Sequence, residues 1–133
     1  MKDVPVEPCG PTTSGASIRL DLDFASLVAV LNDSAAANDF CSLLPLELAL
    51  DDYAAKEKIS DLPRRLLTTG APIGSAGVVG SIAYYEPWGN LAIFYRDAPY
   101  ASGLVILGQI TGDVAALQSR SRMRVRIDLD RTT

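Results

Sequence analysis

The chain has 133 residues, a net charge of −4 at neutral pH and no histidine. The missing imidazole excludes serine–histidine and cysteine–histidine catalysis and removes the commonest zinc ligand. The acidic balance argues against a general nucleic-acid binder and against attraction to anionic lipid, and no run approaches the roughly 18 apolar residues of a membrane span.

With 48% hydrophobic and 21% charged residues, the chain fits one compact domain, large enough to fold without a metal or a disulfide. The N-terminus lacks a charged-then-apolar signal pattern, and the expected location is the cytoplasm. Cys9 in a Pro/Gly-rich leader and Cys41 in an apolar helical pattern read as two reduced thiols rather than a disulfide framework.

Residues 1–17, with Pro5, Pro8, Pro11, Gly10 and Gly15, read as a flexible N-terminal arm, and 18–133 as a single domain. Ile18, Leu20, Leu22 and Phe24 alternate with Arg19, Asp21 and Asp23, the pattern of a half-buried strand. Leu27 to Leu31 extends the apolar content without fixing strand or helix. Asn32-Asp33-Ser34 then offers an N-cap to a helix over residues 35–44, stopped by Pro45, with Ala36, Ala37, Phe40, Leu43 and Leu44 on one stripe. It reads as a lid over a barrel end.

Leu46, Leu48 and Leu50 mark a second strand, ending at Asp52-Tyr53. Residues 56–67 are polar with scattered apolar anchors, and Pro63 is placed to start a short helix. Thr69 to Gly80 reads as a glycine-rich loop, a rim element beside a groove.

Gly80 to Asp97 organises the rest. Two runs rich in β-branched and aromatic residues flank Pro87-Trp88-Gly89-Asn90 and predict a tight antiparallel hairpin. Beyond it, 97–103 reads as a loop, Leu104 to Ile110 as a strand buried on both faces, and Val114 to Gln118 as a short helix. In the last strand Arg120, Arg122, Arg124 and Arg126 alternate with Ser121, Met123, Val125 and Ile127. Those arginines face the acids of the first strand if first and last strands pair, which closes the sheet into a barrel and removes its edges.

Several phrases carry a resemblance: Phe40 to Pro45 followed by Leu46-Glu47-Leu48, Asp52-Tyr53, Lys56-Glu57-Lys58, Leu62-Pro63, and the hairpin from Tyr84-Tyr85 to Phe94-Tyr95-Arg96-Asp97. Over Ile18 to Leu129 the chain resembles a bacterial and archaeal family of small cyclophilin-like proteins. The resemblance implies a mainly β fold, a cyclophilin-like closed eight-stranded β-barrel with a helix capping each open end, and no set activity. True cyclophilins isomerise X-Pro bonds with an arginine three positions before a hairpin proline. Aligning that proline with Pro87 puts Tyr84 in the arginine's place, and a neutral hydroxyl is a poorer partner for the prolyl amide.

The expected role is therefore a binding module for a small ligand or peptide, through a cleft beside the 80–97 hairpin, with no catalytic residue assigned. Its candidate residues are Tyr84, Tyr85, Trp88, Phe94 and Tyr95, whose rings offer rigid contact area, with Arg96 from its place on the hairpin and Glu57 from the family phrase. Alternation sends Tyr84 and Tyr85 to opposite faces, as it does Phe94 and Tyr95, so half of them belong to the core. The alternatives are a weak prolyl isomerase working through Arg96 and a subunit whose aromatics form a protein interface.

The arginine ladder reads as a solvated sheet face, neutralised by neighbouring acids. No cofactor or metal is expected: the carboxylate pairs Asp51-Asp52 and Asp128-x-Asp130 lack a spaced third ligand, and 70–80 contains no phosphate-binding loop.

Overall fold

The computed structural model describes residues 16–119 and 121–130. The expected arm therefore lies almost wholly outside the described residues. Ten strands form in chain order: β1 Ser17–Leu22, β2 Ser26–Leu31, β3 Leu46–Tyr53, β4 Glu57–Asp61, β5 Gly74–Gly77, β6 Ser81–Tyr85, β7 Asn90–Phe94, β8 Ala98–Ser102, β9 Leu104–Ile110 and β10 Met123–Leu129. Eight of them close a barrel in the order β1-β10-β3-β4-β7-β6-β9-β2, all neighbours antiparallel, while β5 and β8 pair as a separate two-stranded ribbon.

The first and last strands pair as the charge pattern requires, with Asp21 opposite Arg126 and Arg19 opposite Asp128. Ion pairs of the arginines also run to the other neighbour, β3, and along β10 itself: Arg122 lies 3.2 Å from Asp51, and Arg126 3.6 Å from Glu47 and 3.3 Å from Asp128. The arginines are exposed and Asp21 and Asp128 half-exposed, so the ladder shields a seam from unpaired charge more than it stabilises it.

The seam between β2 and β9 depends on Gly108, which pairs with Leu31. A Cβ there would stand 2.4 Å from the Val30 carbonyl oxygen and 2.9 Å from the Leu31 Cα. Both obstacles are backbone and cannot yield without opening the barrel. Gly108→Ala is expected to cost about 1–3 kcal/mol, read as a lower denaturation midpoint; an unchanged midpoint would mean that the seam is not closely packed.

One α-helix, α1 (Ala35–Cys41), packs on the barrel. Ser34 caps it by accepting from the Ala37 N–H at 3.1 Å, and Asn32 ties the cap to β9 by donating from Nδ2 to the Ile106 carbonyl at 2.9 Å. The apolar stripe outlasts the α-helix, which tightens after Cys41 into bonds from Leu43 to Phe40 and from Leu44 to Cys41 ahead of Pro45.

Among the described residues α1 is the one α-helix, so a capping helix at each open end is not confirmed. The short helix expected over 114–118 is a single 3-10 turn, Ala115–Leu117, which buries Leu117. Gly112, at φ +134°, turns the chain just before it, and the Asp113 carboxylate accepts from Ala115 N–H, so the segment makes one capped turn before heading for β10.

Three more expectations need correction. Residues 57–61 are a barrel strand, and no helix starts at Pro63. The loops expected over 69–80 and 97–103 contain the two ribbon strands, β5 and β8. Cys41 is disulfide-bonded rather than the reduced thiol expected. No helix among the described residues is long and apolar enough to cross a membrane.

Candidate functional site

Alternation along the strands sorts the aromatic cluster into two populations. Tyr84 and Tyr95 point into the barrel. Tyr84 is 0% exposed and its hydroxyl accepts from the Leu66 N–H at 3.2 Å; Tyr95 is buried and its hydroxyl donates to the Asp52 carboxylate. Neither reaches a cleft. Tyr85 and Phe94 point the other way, onto the outer wall, where a second and smaller apolar cluster forms around Ala83, Ala92, Phe94 and Leu104.

The β5–β8 ribbon lies over this outer wall. Its Ala98 and Ala101 pack against the cluster, and Gly77 sits on the Phe94 ring so closely that a Cβ would fall 2.7 Å from ring carbons. Between ribbon and wall is a cavity of about 190 Å³. Its floor is made by β4 and β7, where register places Glu57 opposite Phe94 and Ile59 opposite Ala92. Asn90 and Tyr85, paired across the hairpin, close one side together with Leu104. Ala98, Pro99 and Ala101 form the ribbon side.

Trp88 stands at the mouth, 53% exposed. The hairpin turn puts it there: Gly89, at φ +67°, allows its N–H to reach the Tyr85 carbonyl at 2.9 Å, and Pro87 is seated against Gly103. Tyr53 and Tyr85 flank the indole edge to face, with ring centroids at 5.6 and 5.1 Å and interplanar angles of 84° and 85°. Such contacts hold large rings in fixed orientation.

Two polar groups in this apolar surround are without a partner. Glu57 is partly buried, with no ion pair or hydrogen bond shown for its side chain among the described residues, and burial pushes its carboxyl up to about 7 from an ordinary 4.5, with Lys56 offsetting this in part. Asn90 is 4% exposed, and its Oδ1 accepts no hydrogen bond among the described residues. Buried acceptors are normally satisfied, so a donor brought to this cavity wall would gain a hydrogen bond there.

The raised carboxyl has a consequence for stability. Between pH about 4.5 and about 7 the folded chain keeps a proton at Glu57 that the unfolded chain has released, so stability falls as pH rises through that window and stays low above it. Glu57→Gln is expected to be more stable than the native chain by roughly 1–3 kcal/mol near pH 8, allowing for partial exposure, and equal to it near pH 4. Thermal melts at the two pH values check this; at the higher pH, a melting temperature of Glu57→Gln equal to or below that of the native chain would contradict it.

Of the seven residues proposed from sequence, Glu57, Tyr85, Trp88 and Phe94 line this one cavity. Tyr84 and Tyr95 are core, because each lies one residue out of phase with an outward neighbour. Arg96 is exposed and lines a different, smaller depression with Ala55, Gln118 and Ser119. Sequence reasoning missed Tyr53, Ile59, Asn90, Leu104 and the ribbon residues. The strand period through Glu57 and Ile59 was the available signal, hidden by the charged run Lys56-Glu57-Lys58.

Lys58 explains why that run misleads. It points inward and is 0% exposed, its ammonium 3.5 Å from Asp52 and donating to the carbonyls of Ser119 and, at 3.0 Å, Ser121. The ammonium also lies 5.9 Å from the centre of the Tyr95 ring.

These features define a closed, eight-stranded antiparallel barrel with a covered cavity on its outer wall. The chain belongs to the cyclophilin-like family, whose model matches residues 20–128. Among solved structures it is similar to the solution structure of a hypothetical protein from Archaeoglobus fulgidus, with a TM-score of 0.63 and 15% identity over 87% of this chain and 95% of that one. At that identity the likeness shows the fold alone. A search of curated proteins gave no match.

Proposed function

We propose that this protein binds a small ligand, or one inserted side chain of an extended peptide, in the cavity between the barrel wall and the β5–β8 ribbon. The observation that carries this reading is the cavity itself: rigid aromatic walls enclosing a Glu57 side chain and an Asn90 Oδ1 with no hydrogen-bond partner among the described residues. Ligand sites combine a mostly apolar lining with a few convergent polar groups, and this cavity has that composition. Its volume suits one ring: a cavity of about 150 Å³ holds a benzene-sized molecule.

An isomerase reading draws less support from the geometry. The cavity has no arginine in its lining, Tyr84 is sealed in the core, and Arg96 lies outside.

Amide shift mapping with single-ring compounds and with a short X-Pro peptide tests the reading. Expected are perturbations at Glu57, Tyr85, Trp88 and Phe94, with no acceleration of cis–trans exchange in the peptide. Accelerated exchange that is lost in Arg96→Ala would overturn it in favour of catalysis.

A further inference from the structure

Two of the cavity's polar groups lack a partner and both can accept a hydrogen bond, which narrows what it takes. Glu57 offers a carboxyl group and Asn90 an Oδ1, both without a hydrogen-bond partner among the described residues. The lining contains no lysine or arginine. A buried acceptor gains most from a charged N–H donor. The rings of Tyr53, Tyr85 and Trp88 at the mouth suit a cation as well, since an aromatic face attracts positive charge.

We propose that the cavity selects a small organic cation: one apolar ring bearing a protonated amine or amidine, whose ring packs against Phe94, Tyr85 and Trp88 and whose N–H groups donate to Glu57 and Asn90. This rests on the reading that the cavity is the ligand site, and it adds the ligand's charge and size. A neutral or anionic molecule of the same shape leaves one acceptor unsatisfied or meets it with like charge, at a cost that discriminates more sharply than ring shape does.

The groups that face Glu57 from the surrounding elements leave it as the charge that responds to pH. From β3 comes the Tyr53 phenol and from β6 the Tyr85 phenol; β7 contributes Phe94 and Asn90, β9 contributes Leu104, and the ribbon contributes Ala98, Pro99 and Ala101. Lys56, beside Glu57 in sequence, favours the carboxylate form. Cation binding therefore strengthens as Glu57 loses its proton, and weakens as pH falls below neutrality.

Benzylamine and benzyl alcohol differ in charge but hardly in shape, and Trp88, the chain's single tryptophan, reports either one by its emission. At about pH 8.5, benzylamine is expected to bind roughly tenfold or more tighter than the alcohol, the size of one hydrogen bond to a charged group. The preference should shrink to about threefold or less near pH 5.5, where Glu57 holds its proton, and also in Glu57→Gln at either pH. Glu57→Gln keeps the side chain's shape, and its melting curve shows that the fold is intact.

Equal affinity for the two compounds at the higher pH overturns the cation selectivity while leaving the cavity as a ligand site. A tenfold preference that survives Glu57→Gln overturns the role given to Glu57. Binding of neither compound at Trp88 overturns both the selectivity and the site.

Discussion

Asp52→Ala is expected to destabilise the barrel by about 3–4 kcal/mol, because it strands a buried ammonium. Lys58 is 0% exposed, and Asp52, at 10% side-chain exposure, is the carboxylate beside it. The same side chain accepts from the Tyr95 hydroxyl, and its Oδ2 accepts from the Ala55 N–H at 3.2 Å. Ala54 and Ala55 both hold positive φ, at 56° and 55°, an uncommon conformation for residues with a Cβ. Removing the carboxylate therefore takes the counter-charge from a buried cation, removes the acceptor of the Tyr95 hydroxyl's hydrogen bond and releases a strained turn together.

Burial alone would raise the Asp52 carboxyl, but the Tyr95 hydroxyl, Lys58 and the Ala55 N–H outweigh it and hold the group below its ordinary value of 3.8. A depressed carboxyl contributes stability above that ordinary value and loses it as pH falls through the folded one. The native chain and Asp52→Ala should thus converge in stability as the solution is acidified. Urea denaturation at neutral and acidic pH measures both effects; a cost below about 1 kcal/mol at neutral pH would mean that Lys58 is hydrated after all.

Phe40→Ala is expected to cost about 3–5 kcal/mol, the range for truncating a fully buried phenylalanine. Phe40 is the largest apolar side chain that α1 buries, 0% exposed within the core cluster that fills the barrel. That cluster lies inside the wall, whereas the candidate cavity lies outside it, over Ala83 and Ala92. The variant should therefore lose stability and keep its ligand affinity at temperatures where it stays folded. A matching loss of affinity at Trp88 would show that interior and outer wall are coupled, contrary to the separation that the two clusters describe.

Legibility in the sequence followed the strand period. Where apolar and polar residues alternate cleanly, in β1, β3 and β10, elements and facing are readable, and so is the closure of first strand on last; in the hairpin, buried on both faces, the elements are readable and the facing is not. It failed where a barrel interior holds a charge. Lys58 breaks the pattern of β4, because Asp52, its partner across the β3–β4 pair, and two backbone carbonyls satisfy it, and those carbonyls lie 61 and 63 residues away in sequence. The ribbon was hidden for another reason: glycines in β5 and a proline in β8 signal loops, and these strands are edge pieces that need no central ladder.

The site was half legible. The period could divide the tyrosines between core and surface but could not say which member of each pair was which. That depends on barrel curvature and on the ribbon. Asn90 lay within the turn phrase, and its unpaired oxygen becomes visible only when Glu57 and Tyr85 are seen beside it.

The most direct measurement is the emission of Trp88 during titration with single-ring compounds, in the native chain and in Ala101→Phe, which fills the cavity from the ribbon side. A saturable change in the native chain that is lost in the filled variant is the predicted result. Emission that stays flat across the compounds, or binding that is unchanged when the cavity is filled, would contradict a ligand site between the barrel and its ribbon.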